Sequence, residues 1–235
     1  RSSAASDVYK RQIQYNVLNL PSTVSFSDGS TITYTYGADG TKLRTVHKIG
    51  STTTTTDYCG NVIYENGTQK LLLTEEGYIN LTGTQQYHYY LKDHQGNNRV
   101  VINQSGTVEE TNHYYPFGGV FGTTGNTQPY KYNGKEFDTK KGLNWYDYGA
   151  RHYDAALGRF TTNDRFAEKY YSMSPYQYGA NNPVNNIDVN GDTIVVNPNP
   201  NGLIDNVKMF FGFDTKYQKD VKADLQLSLI HISEP

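Results

Sequence analysis

The sequence contains very little cysteine, tryptophan or methionine. Among its 235 residues there are one cysteine, one tryptophan and two methionines. The single cysteine, Cys59, excludes an internal disulfide and also excludes a zinc site built on several thiolates. Free cysteine is among the most buried residue types, so we expect Cys59 to be a small buried residue on a strand.

A strong charge of one sign and long apolar runs are also missing. The formal net charge is −2, whereas a nucleic-acid-binding domain normally presents a concentrated basic face. No apolar run approaches the roughly 20 residues that a membrane span needs. The histidines have no short metal-ligand spacing, and the sequence has no phosphate-binding loop and no GxSxG nucleophile elbow. We therefore predict no nucleic-acid partner, no membrane span in this sequence, no cofactor and no metal site.

Tyrosine and glycine are the abundant residues, with 22 of each. Tyrosine and threonine fit the half-buried surface of a pleated sheet, while glycine, asparagine and aspartate favour tight turns. The helix formers alanine, leucine and glutamate are sparse by comparison. This composition predicts an all-β protein, with helical turns only around residues 164–171.

Short β-type runs alternate with turn signals along the first half of the chain. The pair Asp39-Gly40 separates the strand-like runs 33–36 and 42–44, and such a pair is a strong hairpin signal. Residues 57–67 form a second, weaker unit of the same kind. Hairpins that cannot bury a face alone must stack on their neighbours. Residues 118–128, rich in glycine and threonine, are expected to form a flexible loop.

Five motifs follow one another in the second half. They are YLKDHQGNNRVVINQSGTV at 90–108, HYYPFG at 113–118, YNGKEFD at 132–138, WYDYGARHYDAALGRFTTNDRF at 145–166 and SPYQYGANNPVNNIDVNGD at 174–192. In their number, order and spacing they resemble the RHS repeat-associated core domain of YD-repeat proteins, which include RHS proteins and C components of Tc toxins. The segment YTYGADGTKLR at 34–44 also resembles a degenerate YD repeat.

The resemblance implies a fold and a division of the chain. YD-repeat hairpins would form part of a spiralling β-sheet shell, and the RHS core would close one end of it. On this basis residues 13–86 are terminal YD-type repeats, residues 87–192 are the core, and residues 193–226 begin a variable C-terminal cargo. The implied protein is secreted or on the cell surface and encloses a toxin-like segment.

The resemblance also implies a self-cleaving aspartyl site. Its motif residues fall on Arg151 in GARHYD, Asp164 in GRFTTND and Asp188 in NNPVNNIDVNG, with the cut expected near Asp192-Thr193. Two carboxylates held close together share a proton, so that one can activate water while the other polarises the carbonyl. A guanidinium beside them would keep one carboxylate ionised and correctly oriented.

This sequence departs from the family pattern at both aspartates. Asp164 is followed by Arg165 and Asp188 by Val189, where the family has proline. Arg165 could pair with Asp164 and lower its pKa, which would hinder proton sharing. His152 replaces the usual aromatic residue next to the motif arginine, and we interpret it as a packed ring and not as a third catalytic group.

Other interpretations of these residues remain open. Asp164 and Asp188 could be turn residues that cap local backbone, in which case the chain is a non-cleaving structural or cell-surface wall protein. A two-carboxylate glycoside hydrolase, with tyrosines as a sugar platform, would require an open cleft between the carboxylates. For the self-cleaving protein the partner is the chain's own C-terminal cargo, with an export machine or a cognate immunity protein as further candidates.

Both ends of the sequence resemble translated adapter DNA. Residues 2–12, SSAASDVYKRQ, translate a string that resembles a transposase-based sequencing adapter. Residues 227–235, LSLIHISEP, translate a string whose first part is the reverse complement of the same transposon end. Foreign segments are excluded from fold reasoning. We therefore expect residues 1–12 and 227–235 to be non-native.

Overall fold

The computed structural model describes residues 11–196. Twelve strands form one antiparallel sheet in which every strand pairs with its neighbours in sequence. They are β1 Arg11–Tyr15, β2 Pro21–Phe26, β3 Thr31–Tyr36, β4 Lys42–Ile49, β5 Thr52–Cys59, β6 Val62–Glu65, β7 Thr68–Leu73, β8 Gly77–Asn80, β9 Gln86–Lys92, β10 Asn98–Asn103, β11 Val108–Tyr114 and β12 Val120–Thr124. The all-β prediction is confirmed.

Aspartate and glycine make the turns between these strands. Asp39 Oδ1 accepts a hydrogen bond from the Thr41 backbone N–H at 3.0 Å, and Gly40 has a φ of +88°. The side chain closes the turn, and glycine supplies the left-handed backbone that other residues adopt only at a cost. The hairpin predicted at Asp39-Gly40 therefore exists, joining β3 to β4.

Buried and exposed side chains alternate along the strands, which gives the sheet one buried face. On β3, Ile32 and Tyr34 are buried, while the threonines between and beside them are more exposed. Two apolar clusters lie on the sheet. One contains Val24, Ile32 and Tyr34, and the other contains Ile63, Leu71, Tyr78 and Val101.

Two expectations for this half are wrong. Residues 118–128 are not a loop throughout, because Val120–Thr124 forms β12 and pairs with β11. Threonine and valine fit a strand there, since the preceding strand offers a free edge. Cys59 is exposed, not buried. It is the last residue of β5, next to the turn to β6, where the sheet no longer covers both sides of the chain.

The second half contains shorter elements. A four-stranded antiparallel sheet comprises β13 Glu136–Asp138, β14 Trp145–Asp147, β15 His152–Asp154 and β16 Arg159–Phe160, and a two-stranded sheet comprises β17 Asn186–Asp188 and β18 Ile194–Val196. Within residues 164–171, Ala167–Lys169 forms a single 3-10 turn. Further 3-10 turns occur at Tyr132–Gly134, Lys140–Gly142 and Gly179–Asn181, outside that range.

A core of aromatic side chains holds these short elements together. Its buried members are Tyr132, Tyr146, Tyr148, Tyr153, Phe160 and Tyr178. The Tyr153 and Tyr178 rings lie 4.4 Å apart between centroids, and such pairs contribute roughly 0.5–1.5 kcal/mol beyond the area that they bury. These tyrosines fill the interior, so they do not form a sugar-binding platform on the surface.

The four-stranded sheet packs on the face of the long sheet. Leu143 and Trp145 join the cluster of Val24, Ile32 and Tyr34. Ion pairs surround this contact, with Lys42 Nζ 2.6 Å from Glu136 Oε2 and 2.5 Å from Asp147 Oδ2. The position of the second half is therefore set by apolar packing and by charged contacts to β2–β4.

The long sheet runs across the predicted boundary between residues 86 and 87, because β8, β9 and β10 pair in order. The division into repeats and core stays a prediction. Of the segments expected to be non-native, Arg11 and Gln12 lie in β1, while residues 1–10 and 227–235, with most of the predicted cargo at 197–226, lie outside the described residues. Within residues 11–196, no helix has the length and apolar character required to cross a membrane.

Candidate active site

Arg151 lies at the centre of the predicted site. It comes directly before β15, and only 3% of it is exposed. Its Nη2 lies 3.0 Å from Asp164 Oδ2, its Nη1 donates to the Pro175 carbonyl oxygen at 2.9 Å, and its Nε donates to the Gly191 carbonyl oxygen. The guanidinium also stacks 3.8 Å from the Phe160 ring centroid. Three distant segments are thus joined by one planar cation, a geometry that arginine provides and lysine does not.

Asp164 follows β16 and is also buried. Its Oδ2 faces Arg151, while its Oδ1 accepts a hydrogen bond from the Phe166 backbone N–H at 2.7 Å. The Asp164 backbone N–H donates to the Pro175 carbonyl oxygen at 2.9 Å. Asp164 is therefore a turn residue and an arginine-paired carboxylate at once, because its two oxygens have different partners.

Asp188 ends β17 and is fully buried. Its Oδ1 accepts a hydrogen bond from the Gly191 N–H at 2.6 Å. Its Oδ2 lies 3.6 Å from Arg151 Nη2 and has no hydrogen-bond partner among the described residues. The pKa of Asp188 is raised to about 6, mainly by burial and to a smaller extent by the neighbouring carboxylates Asp192 and Asp164, while the hydrogen bond from Gly191 and the charge of Arg151 act in the opposite direction.

The two candidate carboxylates share one arginine atom. The Oδ2 atoms of Asp164 and Asp188 lie 3.0 and 3.6 Å from Nη2 of Arg151, so they are less than 7 Å apart. Asp164 is the better paired of the two, and Asp188 is the one with the raised pKa. This asymmetry would allow one carboxylate to be ionised while the other holds a proton near pH 6.

Gly191 brings the chain close to the arginine. Its φ is +87°, and a Cβ at this position would lie 2.9 Å from the Arg151 backbone nitrogen and 3.2 Å from Tyr148 Cβ. Glycine is required here for both reasons, the positive φ and the lack of space. The close approach presents the Gly191 carbonyl to Arg151, one residue before the expected cleavage site.

Asp192 and Thr193 follow directly. Asp192 is 2% exposed, and its Oδ1 accepts a hydrogen bond from Thr193 Oγ1 at 3.1 Å. Its Oδ2 forms an ion pair with Nη2 of Arg165. The expected pairing of Arg165 with Asp164 is therefore wrong. Asp164 turns towards the buried Arg151, and the next side chain, Arg165, points to the chain at Asp192.

His152 belongs to the packing between the sheets. It is buried, and its ring lies 5.4 Å from the Tyr34 ring and 6.0 Å from that of Trp145. Burial lowers its pKa, although the charge of Asp147 acts in the opposite direction. The neighbouring Arg151 has different partners, the Phe160 ring and the carbonyl oxygens of Pro175 and Gly191. This geometry agrees with its interpretation as a packed ring.

Several contacts of this site were not foreseen from the sequence. They are the carbonyl groups of Pro175 and Gly191, the Phe160 ring under Arg151, and the pair of Arg165 with Asp192. The Asn190-Gly191 turn signal could have indicated a close approach of the backbone. Nothing in the local pattern indicates the partner of Arg165. In the part of the chain that the structure describes, no group of three or more histidine, cysteine, aspartate or glutamate side chains is arranged to hold a metal ion.

Comparison with known proteins connects the chain to two kinds of molecule, and no family model matches it. Over 123 residues, 51% of the chain, it is 37% identical to salivary gland surface protein 1 of Aedes aegypti, of which it covers 4%. The crystal structure of TcdB2–TccC3–Cdc42 matches 78% of the chain with a TM-score of 0.66 and 19% identity. The Photorhabdus luminescens Tc holotoxin pore, with an aspartate of TccC3 replaced by alanine, matches 77% with a TM-score of 0.62.

These matches establish the fold. The chain spans about a tenth of the solved chains and a smaller share of the Aedes protein. At 19% identity the structural likeness concerns the path of the backbone and not the chemistry. The sheet of sequential antiparallel strands and the shorter strands after it have the RHS-like, all-β fold of the TcdB2–TccC3 structures.

Proposed function

We propose that this chain is the C-terminal core of an RHS/YD-repeat shell protein, and that it cuts its own backbone near Asp192-Thr193. One observation carries the proposal: Asp164 and Asp188 both face Arg151, which is hydrogen-bonded to the carbonyl of Gly191. The candidate carboxylates are thus linked, through hydrogen bonds to Gly191, to the segment of the same chain that would be cut. Tethering of this kind replaces a substrate-binding pocket and contributes roughly 7–11 kcal/mol when the geometry is good.

The proposed reaction is one hydrolysis per molecule. The Asp164 carboxylate, which is paired with Arg151, accepts a proton from water, and the water oxygen attacks the carbonyl carbon of Asp192. Protonated Asp188 gives its proton to the carbonyl oxygen. Asp164 then passes the proton that it took from water to the Thr193 nitrogen, the C–N bond breaks, and a hydroxyl proton of the tetrahedral intermediate returns to Asp188. One water is consumed, one carboxylate and one amine are formed, and the reaction needs no further reactant.

The electrostatics of the site support this assignment of roles. Burial raises the pKa of Asp188 to about 6, so Asp188 is the group that holds a proton in mildly acidic solution. Asp164 has the shorter contact with the arginine, 3.0 Å against 3.6 Å for Asp188, and we assign it the role of the base for this geometric reason. Cleavage is therefore expected to slow as the pH rises through about 6, since Asp188 then loses the proton that it must donate.

The segment after residue 192 is the proposed cargo. One of the similar structures is described as TcdB2–TccC3 without hypervariable C-terminal region, so a variable C-terminal segment is named in that protein. By analogy, cleavage here would release the C-terminal segment of this protein, a toxin-like cargo. Secretion or display at a cell surface, an export machine and a cognate immunity protein remain parts of the proposal. The Aedes relative is itself described as a surface protein.

A structural protein that does not cut itself is the second candidate. The departures from the family pattern favour it, because Arg165 and Val189 stand where the family has proline. A glycoside hydrolase is disfavoured, since Asp164 and Asp188 are both buried on Arg151 and Asp188 also accepts from the Gly191 N–H, whereas a sugar needs carboxylates that line an open cleft.

The decisive experiment is intact-mass analysis of the full-length protein beside Asp164→Asn and Asp188→Asn. We expect the wild type to yield a fragment ending near Asp192 and a fragment beginning near Thr193, and both variants to stay whole. Asp154→Asn is the matched control, because Asp154 also caps a turn, accepting from Ala156 N–H at 3.0 Å, but lies outside the site. If the wild type stays uncut for several days at pH 5, the self-cleavage proposal is wrong and the non-cleaving structural protein is the remaining candidate.

A further inference from the structure

The ion pair between Arg165 and Asp192 links a surface side chain to a buried one. The Arg165 side chain is 64% exposed, whereas that of Asp192 is 1% exposed. The guanidinium lies 5.0 Å from the Phe166 ring centroid, a contact that limits its range of positions. Arg165 therefore reaches inward from the surface and covers the carboxylate of the residue that would contribute the cleaved carbonyl.

Removal of Arg165 would leave the buried carboxylates around Asp192 with too little positive charge beside them. Asp164, Asp188 and Asp192 face Arg151 and Arg165, three carboxylates against two guanidinium groups. With Asp188 protonated the cluster is neutral. Without Arg165 a buried carboxylate would lose its charge partner, which is strongly unfavourable. The charge of Asp192 also acts on both Asp188 and Arg151.

Arg165 directly follows Asp164, the candidate base, so the ion pair with Asp192 is linked to the base through the backbone. Asp164 binds Arg151, and the next residue, Arg165, binds Asp192. The short turn that carries both is fixed by the Asp164 carboxylate, which accepts from Phe166 N–H, and by the bond from Asp164 N–H to Pro175. Any movement of Asp192 away from Arg165 would therefore change the distance between the candidate base and the carbonyl that it serves.

We propose that Arg165 is a positioning residue for the self-cleavage: it binds the side chain of Asp192 and holds the bond between Asp192 and Thr193 beside Asp164 and Asp188. This inference rests on the proposed function, since it names a further participant at the same site. Arg165 acts through Asp192 and takes no part in the proton transfers. It gives a role to a residue that replaces the family's proline.

The test measures the rate of cleavage against pH in the full-length protein for wild type, Arg165→Ala, Arg165→Lys, Asp192→Asn and the double variant Arg165→Ala/Asp192→Asn. Arg159→Ala is the control, because Arg159 is an exposed arginine on the neighbouring strand β16. The appearance of the fragment that begins near Thr193 is followed by mass spectrometry, and folding is monitored by circular dichroism.

We expect Arg165→Ala to cut about 10- to 100-fold more slowly, since a displacement of about 1 Å has an effect of this size. The pH above which cleavage slows should also be higher in this variant, because an unpaired Asp192 charge raises the pKa of Asp188. The other charged groups near Asp188 are Arg151, Asp164 and Lys135, and they are the same in every variant. Lysine should restore part of the rate. In the Asp192→Asn background, removal of Arg165 should have no further effect.

Each outcome has a distinct meaning. Cleavage by Arg165→Ala at the wild-type rate and with the wild-type pH limit would overturn the positioning role, while loss of cleavage in Asp164→Asn would still uphold the proposed function. Additive effects of Arg165→Ala and Asp192→Asn would also overturn it, since the arginine would then act through another group. An uncut wild type would overturn both proposals together.

Discussion

The long sheet and the segment after it are built in different ways from the same kinds of residues. In the sheet, every strand pairs with the next one along the chain, and its clusters are largely aliphatic, as with Val24, Ile32 and Val101. Between residues 130 and 193 the strands have two or three residues each, and six aromatic side chains form the core. Local hairpins thus define the first region, and contacts between distant residues define the second.

The ion pairs compared in the two regions also differ in how exposed they are. The sheet pair Lys70–Glu65 has side chains that are 43% and 37% exposed, while Arg151 and Asp164 are 3% and 4% exposed. Exposed pairs contribute little, whereas the loss of one partner of a buried pair is costly. The second region therefore depends on a few buried polar contacts, and its stability should respond far more to single substitutions.

The largest expected effect is that of Tyr178→Ala. Tyr178 is fully buried and lies against Tyr153, Phe160 and Tyr148. Removing the ring should lower the free energy of unfolding by about 3–5 kcal/mol, the range for large buried aromatics. Tyr87→Ala is the matched change in the sheet. Tyr87 is 46% exposed, so a loss below about 0.5–1 kcal/mol is expected.

Denaturant unfolding of both variants measures the comparison. Equal losses would show that the second region can repack around a missing ring. Tyr178→Phe separates the ring from its hydroxyl, which donates to Asn133 Oδ1 and accepts from the Tyr148 hydroxyl at 3.2 Å. We expect a loss of about 1 kcal/mol for each of these hydrogen bonds.

The next effect concerns the buried pair that joins the two regions. Lys131 Nζ contacts Oε1 of Glu110 on β11, and the two side chains are 7% and 0% exposed. Lys131→Met leaves a buried carboxylate without its cation and should destabilise the protein by about 3 kcal/mol. Lys70→Met breaks the exposed pair with Glu65 instead and should change stability by less than about 1 kcal/mol.

Glu110→Gln/Lys131→Met tests whether the unpaired charge causes this loss. Removing the charge from both positions should recover part of the stability that Lys131→Met loses. If the double variant is less stable than Lys131→Met, hydrogen bonds from Asn112 and Thr127 to the carboxylate are the more important contribution.

The pH dependence of stability distinguishes the regions further. Burial raises the pKa of Asp188 from 3.8 to about 6, so the folded state binds this proton more tightly than the unfolded state does. The stabilisation from this proton is complete below about pH 4 and is lost as the pH rises through 6, by on the order of 2–3 kcal/mol. Asp188→Asn should remove this loss.

The measurement is the difference between wild type and Asp188→Asn from pH 4 to pH 7. Burial lowers the pKa of His152, so that ring makes stability increase with pH in the same window, and it does so in both proteins. A difference that is independent of pH would show that Asp188 is not protonated in the folded protein near pH 5, and would contradict its role as the proton donor.

The same division explains what could be predicted from the sequence. Asp39-Gly40 identified a hairpin because both the turn and the strand pattern are local. The prediction of a buried Cys59 is wrong because composition does not show where a strand ends. The prediction of a loop at residues 120–124 is wrong because glycine and threonine are ambiguous until a neighbouring strand offers hydrogen bonds.

At the site, residue types and family motifs identified Arg151, Asp164 and Asp188, and the fold brings these three together. They could not identify what Arg165 binds. A charged side chain next to Asp164 reaches Asp192 only because β15, β16 and the 188–192 turn meet in space. Partners separated by many residues depend on packing, which no local pattern contains.

Apart from the exposed control substitutions, the smallest expected effect belongs to the sheet. Gly29 occupies the β2–β3 turn with a φ of +82°, and a Cβ there would meet no atom within 4 Å. Gly29→Ala therefore tests the backbone alone and should cost about 1 kcal/mol. Gly29→Asn should cost less, because asparagine tolerates a positive φ. At Gly191, in contrast, a Cβ would lie 2.9 Å from the Arg151 nitrogen. If alanine lowers the free energy of unfolding equally at both positions, steric crowding does not distinguish the two regions. Backbone conformation would then account for the loss in both.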